Sequence, residues 1–121
     1  MARVLAYVPD LLFGSNVVGA LRAAGHEVVL VNEPEPEAVA AAEVLVVDLT
    51  ADAPERIGLA RAAGAARVRT LAFYSHVEAD VRALAEQAGF DLVVPRSRMA
   101  REGAELVARL AAGPSAEGSS G

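Results

Sequence analysis

The sequence predicts an α/β domain built on a parallel β-sheet, because short apolar runs alternate with segments of helical periodicity along the whole chain. The predicted strands are rich in valine and leucine and cover residues 3–8, 27–32, 44–49, 69–74 and 91–95. The third is apolar on both faces, which is typical of a strand in the middle of a sheet that helices cover on both sides.

The segments between the strands predict helices. The first helix lies between Asp10, which is placed to cap its first turn, and Gly25, which is placed to end it. Apolar stripes at helical spacing predict two more helices over 77–88 and 99–110. Shorter helices are predicted over 34–42 and over 54–63, the latter with Pro54 in its first turn.

Strict alternation with short connections gives a (βα)5 doubly wound sheet, because each crossover must be right-handed and return to the same sheet. A five-stranded chain of this length fits the flavodoxin-like strand order 2-1-3-4-5. That order puts Asp10 and Asp48 beside each other at the carboxyl edge. We expect one domain over 1–112 and a disordered tail over 113–121, since the tail has nothing to bury.

Composition excludes several classes of function. The 121 residues contain no cysteine and no lysine, since all 11 basic residues are arginine. Disulfides, thiolate metal sites, Schiff-base chemistry and the lysine of a phosphate-binding loop are therefore excluded. A net charge of −5 with dispersed acids argues against a nucleic-acid partner. No long apolar span or signal-like amino terminus is visible, so we expect a cytoplasmic protein with no membrane partner.

Polar side chains collect at the carboxyl ends of the predicted strands, where doubly wound sheets bind ligands. Asp48 is the most informative of them, because a carboxylate that ends the most apolar strand is partly desolvated and needs a partner. We expect that partner to be Arg96, whose planar guanidinium can neutralise a carboxylate without a metal. The predicted pocket also contains Asp10, Thr50, Tyr74 and Ser75.

With these residues in this order, the chain resembles the receiver domains of response regulators in bacterial two-component signalling. The resemblance covers roughly residues 3–111, through the opening RVLAYVPD, the third-strand VVDL at 46–49 and AEQAGFDLVV at 85–94. In that family an acidic pair ends the first strand and holds Mg²⁺, and the third-strand aspartate accepts the phosphoryl group. A Ser or Thr ends the fourth strand, and a lysine follows the fifth. By position, Asp48 matches the phosphoacceptor and Arg96 matches the lysine.

The chain departs from the family pattern at several positions. Val8 and Pro9 stand in place of the acidic pair, and Tyr74 or Ser75 stands where Ser or Thr is usual. Pro95 precedes the basic residue, whereas the family has a proline after it. Because Mg²⁺ requires oxygen ligands, metal binding is expected to be weak, and no cofactor or catalytic metal is predicted. The resemblance is therefore closer to atypical receivers, or pseudo-receivers.

Several candidate residues also have a structural interpretation. Asp10 is interpreted first as a helix cap. His26 and His76 lack further ligands at metal spacing and are predicted to be surface loop residues.

The sequence favours a single-domain, receiver-like signalling protein that acts through protein contacts and is not an enzyme. Its partner would be another protein or a second copy, bound through the last two helices. One alternative is a small-ligand or nucleotide-binding domain that uses the same crevice, with Glu33 and Asp10 as polar contacts. Another is a small hydrolase or phosphoryl-transfer enzyme that uses Asp48.

Overall fold

A computed structural model describes residues 1–75 and 79–113 of the chain. The strands are β1 (Arg3–Tyr7), β2 (Glu27–Val31), β3 (Val44–Asp48), β4 (Arg69–Tyr74) and β5 (Leu92–Pro95). The helices are α1 (Leu11–Ala23), α2 (Pro36–Ala41), α3 (Ala53–Ala62), α4 (Ala79–Gln87) and α5 (Arg96–Ala112). An additional 3₁₀ turn, which the sequence analysis did not predict, covers Ala65–Arg67. His76, the predicted start of the fourth helix at Val77, and the tail 114–121 lie outside the described residues.

The five strands form one parallel sheet in the order β2-β1-β3-β4-β5, which confirms the predicted flavodoxin-like topology. The register places Tyr7 of β1 between Val31 of β2 and Val47 of β3. Because all strands run in the same direction, their carboxyl ends meet at one edge. Asp48 is the last residue of β3 and lies at that edge.

Hydrophobic cores lie on both faces of the sheet. All five residues of β3 are buried, which confirms that helices cover this strand on both sides. On one face the core includes Val17 and Leu21 of α1 and Leu106 of α5. On the opposite face it includes residues of α2, α3 and α4, among them Ile57. In the described part of the chain, no helix has the length and apolar character needed to cross a membrane.

The helix ends show how local sequence sets the boundaries. The Asp10 carboxylate accepts a hydrogen bond from the Phe13 backbone N–H at 2.9 Å, so Asp10 caps α1 as expected. The last helix starts at Arg96 rather than at the predicted Met99. Its first turn is Arg96, Ser97 and Arg98, which carry no apolar signal, so periodicity alone could not include them.

His26 is buried, with 6% of its surface exposed, so its assignment to a surface loop was wrong. Its Nδ1 accepts a hydrogen bond from the Ala2 backbone N–H at 3.0 Å, and its Nε2 lies 3.2 Å from the Ala104 carbonyl oxygen. Because Nδ1 is the acceptor, Nε2 carries the proton and donates to that carbonyl. The imidazole thus joins the start of the sheet to α5 and has a structural role.

Candidate functional site at the carboxyl edge

Asp48 is the most deeply buried carboxylate at the carboxyl edge, with 1% of its surface exposed. Burying a charged carboxylate is unfavourable unless hydrogen bonds and an opposite charge compensate for the lost water. A partner for Asp48 was therefore expected from the sequence. The structure provides compensation from two sides, through Thr50 and through an arginine of α3.

Thr50 provides hydrogen bonds that replace the lost water at one oxygen of the Asp48 carboxylate. Asp48 Oδ1 accepts hydrogen bonds from the Thr50 backbone N–H at 2.8 Å and from the Thr50 hydroxyl at 2.5 Å. A side chain that accepts from the backbone two residues later folds the chain into an Asx turn. The carboxylate therefore shapes the loop that connects β3 to α3. Asp52, at the end of this loop, has a left-handed backbone with φ of 50°, a conformation that is uncommon for a residue other than glycine.

Arg56 provides a positive charge beside the other oxygen of the Asp48 carboxylate. Its Nη1 lies 3.3 Å from Asp48 Oδ2 and donates to the Asp48 backbone carbonyl at 3.1 Å. The side chain of Arg56 is only 15% exposed and that of Asp48 2%, so little water screens the pair. Arg56 thus holds both the side chain and the backbone at the end of β3.

Arg56 was not among the predicted site residues, although the chain contains a signal for it. Pro54 marks the first turn of the third helix, and Arg56 lies in that turn. In a parallel sheet with short connections, the first turn of each helix faces the carboxyl end of the strand before it. An arginine there is therefore within reach of a carboxylate at the end of β3.

Arg96 does not pair with Asp48, so the predicted ion pair was wrong. Its guanidinium carbon lies 4.4 Å from the centre of the Phe13 ring, a distance typical of a cation–π contact. Phe13 in turn packs against Phe73 of β4, with ring centres 5.1 Å apart. Because Arg96 begins α5, its side chain extends over the neighbouring helix α1 instead of the end of β3.

The start of α1 offers few metal ligands. Val8 is completely buried, and the carboxylate of Asp10 is used to cap the helix. Neither Val8 nor Pro9 has a side-chain oxygen, whereas Mg²⁺ requires several oxygen ligands in near-octahedral geometry. Among the described residues, no group of three or more His, Asp or Glu side chains could hold a metal ion. The residues present therefore do not fit the Mg²⁺ that the resemblance implied.

Tyr74 and Ser75 follow at the end of β4. Tyr74 is buried with 6% exposure, and Ser75 is half-buried. The Tyr74 hydroxyl faces Arg82 of α4, whose exposed guanidinium also lies 3.2 Å from Glu86. Glu86 in the first place, and Tyr74 in addition, raise the pKa of Arg82. Tyr74 is therefore directed towards α4.

Tyr7 is a second residue at this edge that the sequence analysis missed. It ends β1 and is only 2% exposed. Burial raises the pKa of the Tyr7 hydroxyl, the positive charge of Arg56 lowers it, and the nearby carboxylates of Glu55, Glu33 and Asp48 raise it further. The hydroxyl therefore stays protonated at neutral pH. Its place within an apolar strand made it look like an ordinary core residue.

Comparison with known proteins places the fold. No family model and no curated protein sequence matches the chain. A response regulator receiver domain protein from Methanospirillum hungatei superposes with a TM-score of 0.76 at 16% identity, over 97% of this chain and 98% of that one. A response regulator from Thermotoga maritima gives a TM-score of 0.73 at 17% identity, over 91% and 97%. A response regulator protein from Burkholderia multivorans gives 0.64 at 20% identity, over 91% and 95%.

These structures agree with the present one over nearly their whole length. The strand order β2-β1-β3-β4-β5 and the helices that follow the strands give the same doubly wound arrangement that the sequence predicted. The chain therefore has the fold of response-regulator receiver domains.

Proposed function

We propose that residues 1–112 form an atypical, receiver-like signalling domain that acts through protein–protein contacts and has no catalytic turnover of its own. The ion pair between Asp48 and Arg56 is the observation that carries this proposal. It lies at the position that matches the phosphoacceptor of the family. The fold of the neighbouring structures supports a signalling role of the response-regulator kind.

The ion pair between Asp48 and Arg56 opposes phosphoryl transfer to Asp48. A carboxylate that attacks a phosphoryl group needs a free oxygen, and the developing charge must be neutralised, usually by a metal ion. Here one oxygen of Asp48 accepts from Thr50, and the other lies beside Arg56. The arginine supplies the positive charge permanently, so Asp48 acts as a structural carboxylate that holds the loop between β3 and α3.

Beryllofluoride, which imitates a phosphoryl group on aspartate, tests this proposal. We expect no change in the backbone amide spectrum of Thr50 and its neighbours when beryllofluoride and Mg²⁺ are added, because Arg56 occupies the carboxylate and the metal ligands are missing. Nuclear magnetic resonance of the labelled full chain measures it.

A saturable shift centred on the loop between β3 and α3 would contradict the proposal. In parallel, nucleotides serve as a second set of ligands. A rise in the unfolding temperature with nucleotides, but not with beryllofluoride, would favour the ligand-binding alternative.

We further propose that partners, including a second copy of the chain, bind the face formed by α4, β5 and α5. Exposed charges of both signs lie on this face. Arg82 pairs with Glu86 at 3.2 Å along α4, and Arg98 pairs with Glu102 at 3.4 Å along α5. A surface that carries both charges can pair with its own copy rotated by a two-fold axis.

Sedimentation velocity at several concentrations tests the self-association. We expect a dimer at high micromolar concentration, and we expect Arg101→Glu to weaken it, because Arg101 is 68% exposed on α5 and the substitution reverses its charge. Arg61→Glu, on α3 and outside the three elements of this face, is the matched control and is expected to leave the dimer unchanged. A wild-type chain that stays monomeric over the whole range would refute the dimer.

A further inference from the structure

β2 is an edge strand of the sheet, with β1 on one side. Glu27 at its start is its only charged residue, and the strand contains neither a lysine nor a proline, the residues with which edge strands often discourage pairing. Val29, in the middle of the strand, is 60% exposed. The opposite edge strand, β5, ends in Pro95, whose nitrogen has no hydrogen to donate. β2 is therefore the edge at which a further strand could add most easily.

Hydrogen-bond directions show which backbone groups of β2 face outwards. The Glu27 N–H donates to the Ala2 carbonyl at 2.8 Å, and the Val31 carbonyl accepts a hydrogen bond at 3.3 Å from the residue that follows β1. Peptide groups of successive residues in a strand point to opposite sides, so those of every second residue from Glu27 onwards face β1. The backbone N–H and carbonyl groups of Val28 and Leu30 therefore face the free edge.

Arg22 occupies one of these outward groups. Its Nη2 donates to the Val28 carbonyl oxygen at 2.9 Å. Arg22 lies in the last turn of α1, and Gly25, with a positive φ of 96°, turns the chain from that helix into β2. A positive charge in the last turn of a helix suits the helix dipole, but the dipole does not require a contact with the edge strand. The contact fills a carbonyl that an added strand would need.

A second copy of β2 fits this edge. In an antiparallel pair of two β2 strands centred on Val29, Val28 of each copy lies opposite Leu30 of the other, and both residues have outward peptide groups. The exposed Val29 side chains then lie directly opposite each other, and Glu27 faces an apolar residue, so that no like charges are opposed. This pairing requires the Val28 carbonyl, which Arg22 occupies in each copy.

We infer that Arg22 closes the β2 edge and so keeps two copies of the chain from joining their sheets along β2. β2 and β5 lie at opposite edges of the sheet, so this edge is separate from the face of α4, β5 and α5. The inference therefore does not depend on the proposed function.

Replacing Arg22 with alanine tests the inference. The parent for all variants carries Arg101→Glu, so that the dimer proposed for the face of α4, β5 and α5 does not contribute. Sedimentation velocity is expected to show self-association about tenfold tighter than in the parent, because neither copy has to break a charge-assisted hydrogen bond. Amide hydrogen exchange of the labelled full chain locates the contact: Val28 and Leu30 should exchange more slowly as the concentration of the variant rises.

Two further variants separate pairing along β2 from other effects. Arg61→Ala removes the same charge from an exposed position on α3 and should leave the association of the parent unchanged. Val29→Lys, added to Arg22→Ala, should reverse the gain, because it places like charges directly opposite each other in the paired strands. Val29 is largely exposed, so the lysine can be accommodated. Thermal unfolding of each variant shows that it is folded.

Three results would overturn the inference. One is an Arg22→Ala variant that associates no more tightly than the parent. Another is an equal gain in Arg61→Ala, since the effect would then be one of net charge. The third is association of Arg22→Ala that Val29→Lys does not weaken, or that leaves the exchange of Val28 and Leu30 unchanged, since the copies would then join at another surface.

Discussion

Replacing Arg56 with alanine is expected to lower the free energy of unfolding by about 3 kcal/mol, because removing one partner of a buried pair leaves the other charge buried and uncompensated. Asp48 has a side chain only 2% exposed, so water cannot replace the guanidinium without opening the loop between β3 and α3. Urea unfolding measures the loss. Arg61→Ala is the matched control on the same helix, and because Arg61 is exposed its effect should stay within about 0.5 kcal/mol.

A double-mutant cycle separates the charge from the packing of the arginine. Asp48→Asn keeps an oxygen that Thr50 can donate to and removes the negative charge that needs Arg56. The double variant, Asp48→Asn with Arg56→Ala, is therefore expected to be less destabilised than the sum of the single variants. Additive effects would show that the two side chains are not coupled, and a stability loss of Arg56→Ala no larger than that of Arg61→Ala would contradict the assigned role of the pair.

Replacing Phe73 with alanine is expected to cost about 4 kcal/mol, because it removes a large, completely buried side chain and leaves a cavity. Phe73 supports the ring of Phe13 at 5.1 Å, on which Arg96 rests. The variant should therefore also release Arg96. Calorimetry measures the stability, and the side-chain resonance of Arg96 reports the loss of the aromatic ring current.

Phe73→Leu is the matched control, since it keeps most of the apolar volume and should cost much less. An alanine variant that loses less than about 1 kcal/mol would mean that the site collapses around the missing ring. An Arg96 resonance that does not move in the alanine variant would mean that Phe73 does not support the Phe13–Arg96 contact.

The parts of the fold that depend on burial could be predicted from the sequence. The apolar run at 44–47, which ends at Asp48, indicated a strand covered on both faces, and all of β3 is buried. Because strand and helix patterns alternate strictly along the chain, only a few strand orders are possible. The observed strand order is the predicted one. The 3₁₀ turn at Ala65–Arg67 escaped prediction because so short a segment has no periodicity.

The site could be predicted only in part. The end of β3 was recognised because a carboxylate in an apolar run conflicts with its surroundings, and the need for a partner followed from electrostatics. The identity of that partner was wrong, because Arg96 was chosen for its place after the fifth strand, and Arg56 in the first turn of α3 was not considered. Arg96 is the first residue of α5, and its side chain extends over the Phe13 ring. Neither the direction of this side chain nor its contact with the ring produces a recognisable sequence pattern. His26 was missed for a similar reason, since its two hydrogen bonds go to backbone atoms of distant residues.

Phosphate incorporation at Asp48 tests the central claim most directly. The full chain is incubated with acetyl phosphate in millimolar Mg²⁺ and its intact mass is measured, with Asp48→Asn as the control. We predict no mass gain, because Arg56 and Thr50 occupy the carboxylate and Val8 and Pro9 supply no metal ligand. A stoichiometric gain of phosphate that Asp48→Asn abolishes would contradict the account, since it would show that Asp48 is a working phosphoacceptor.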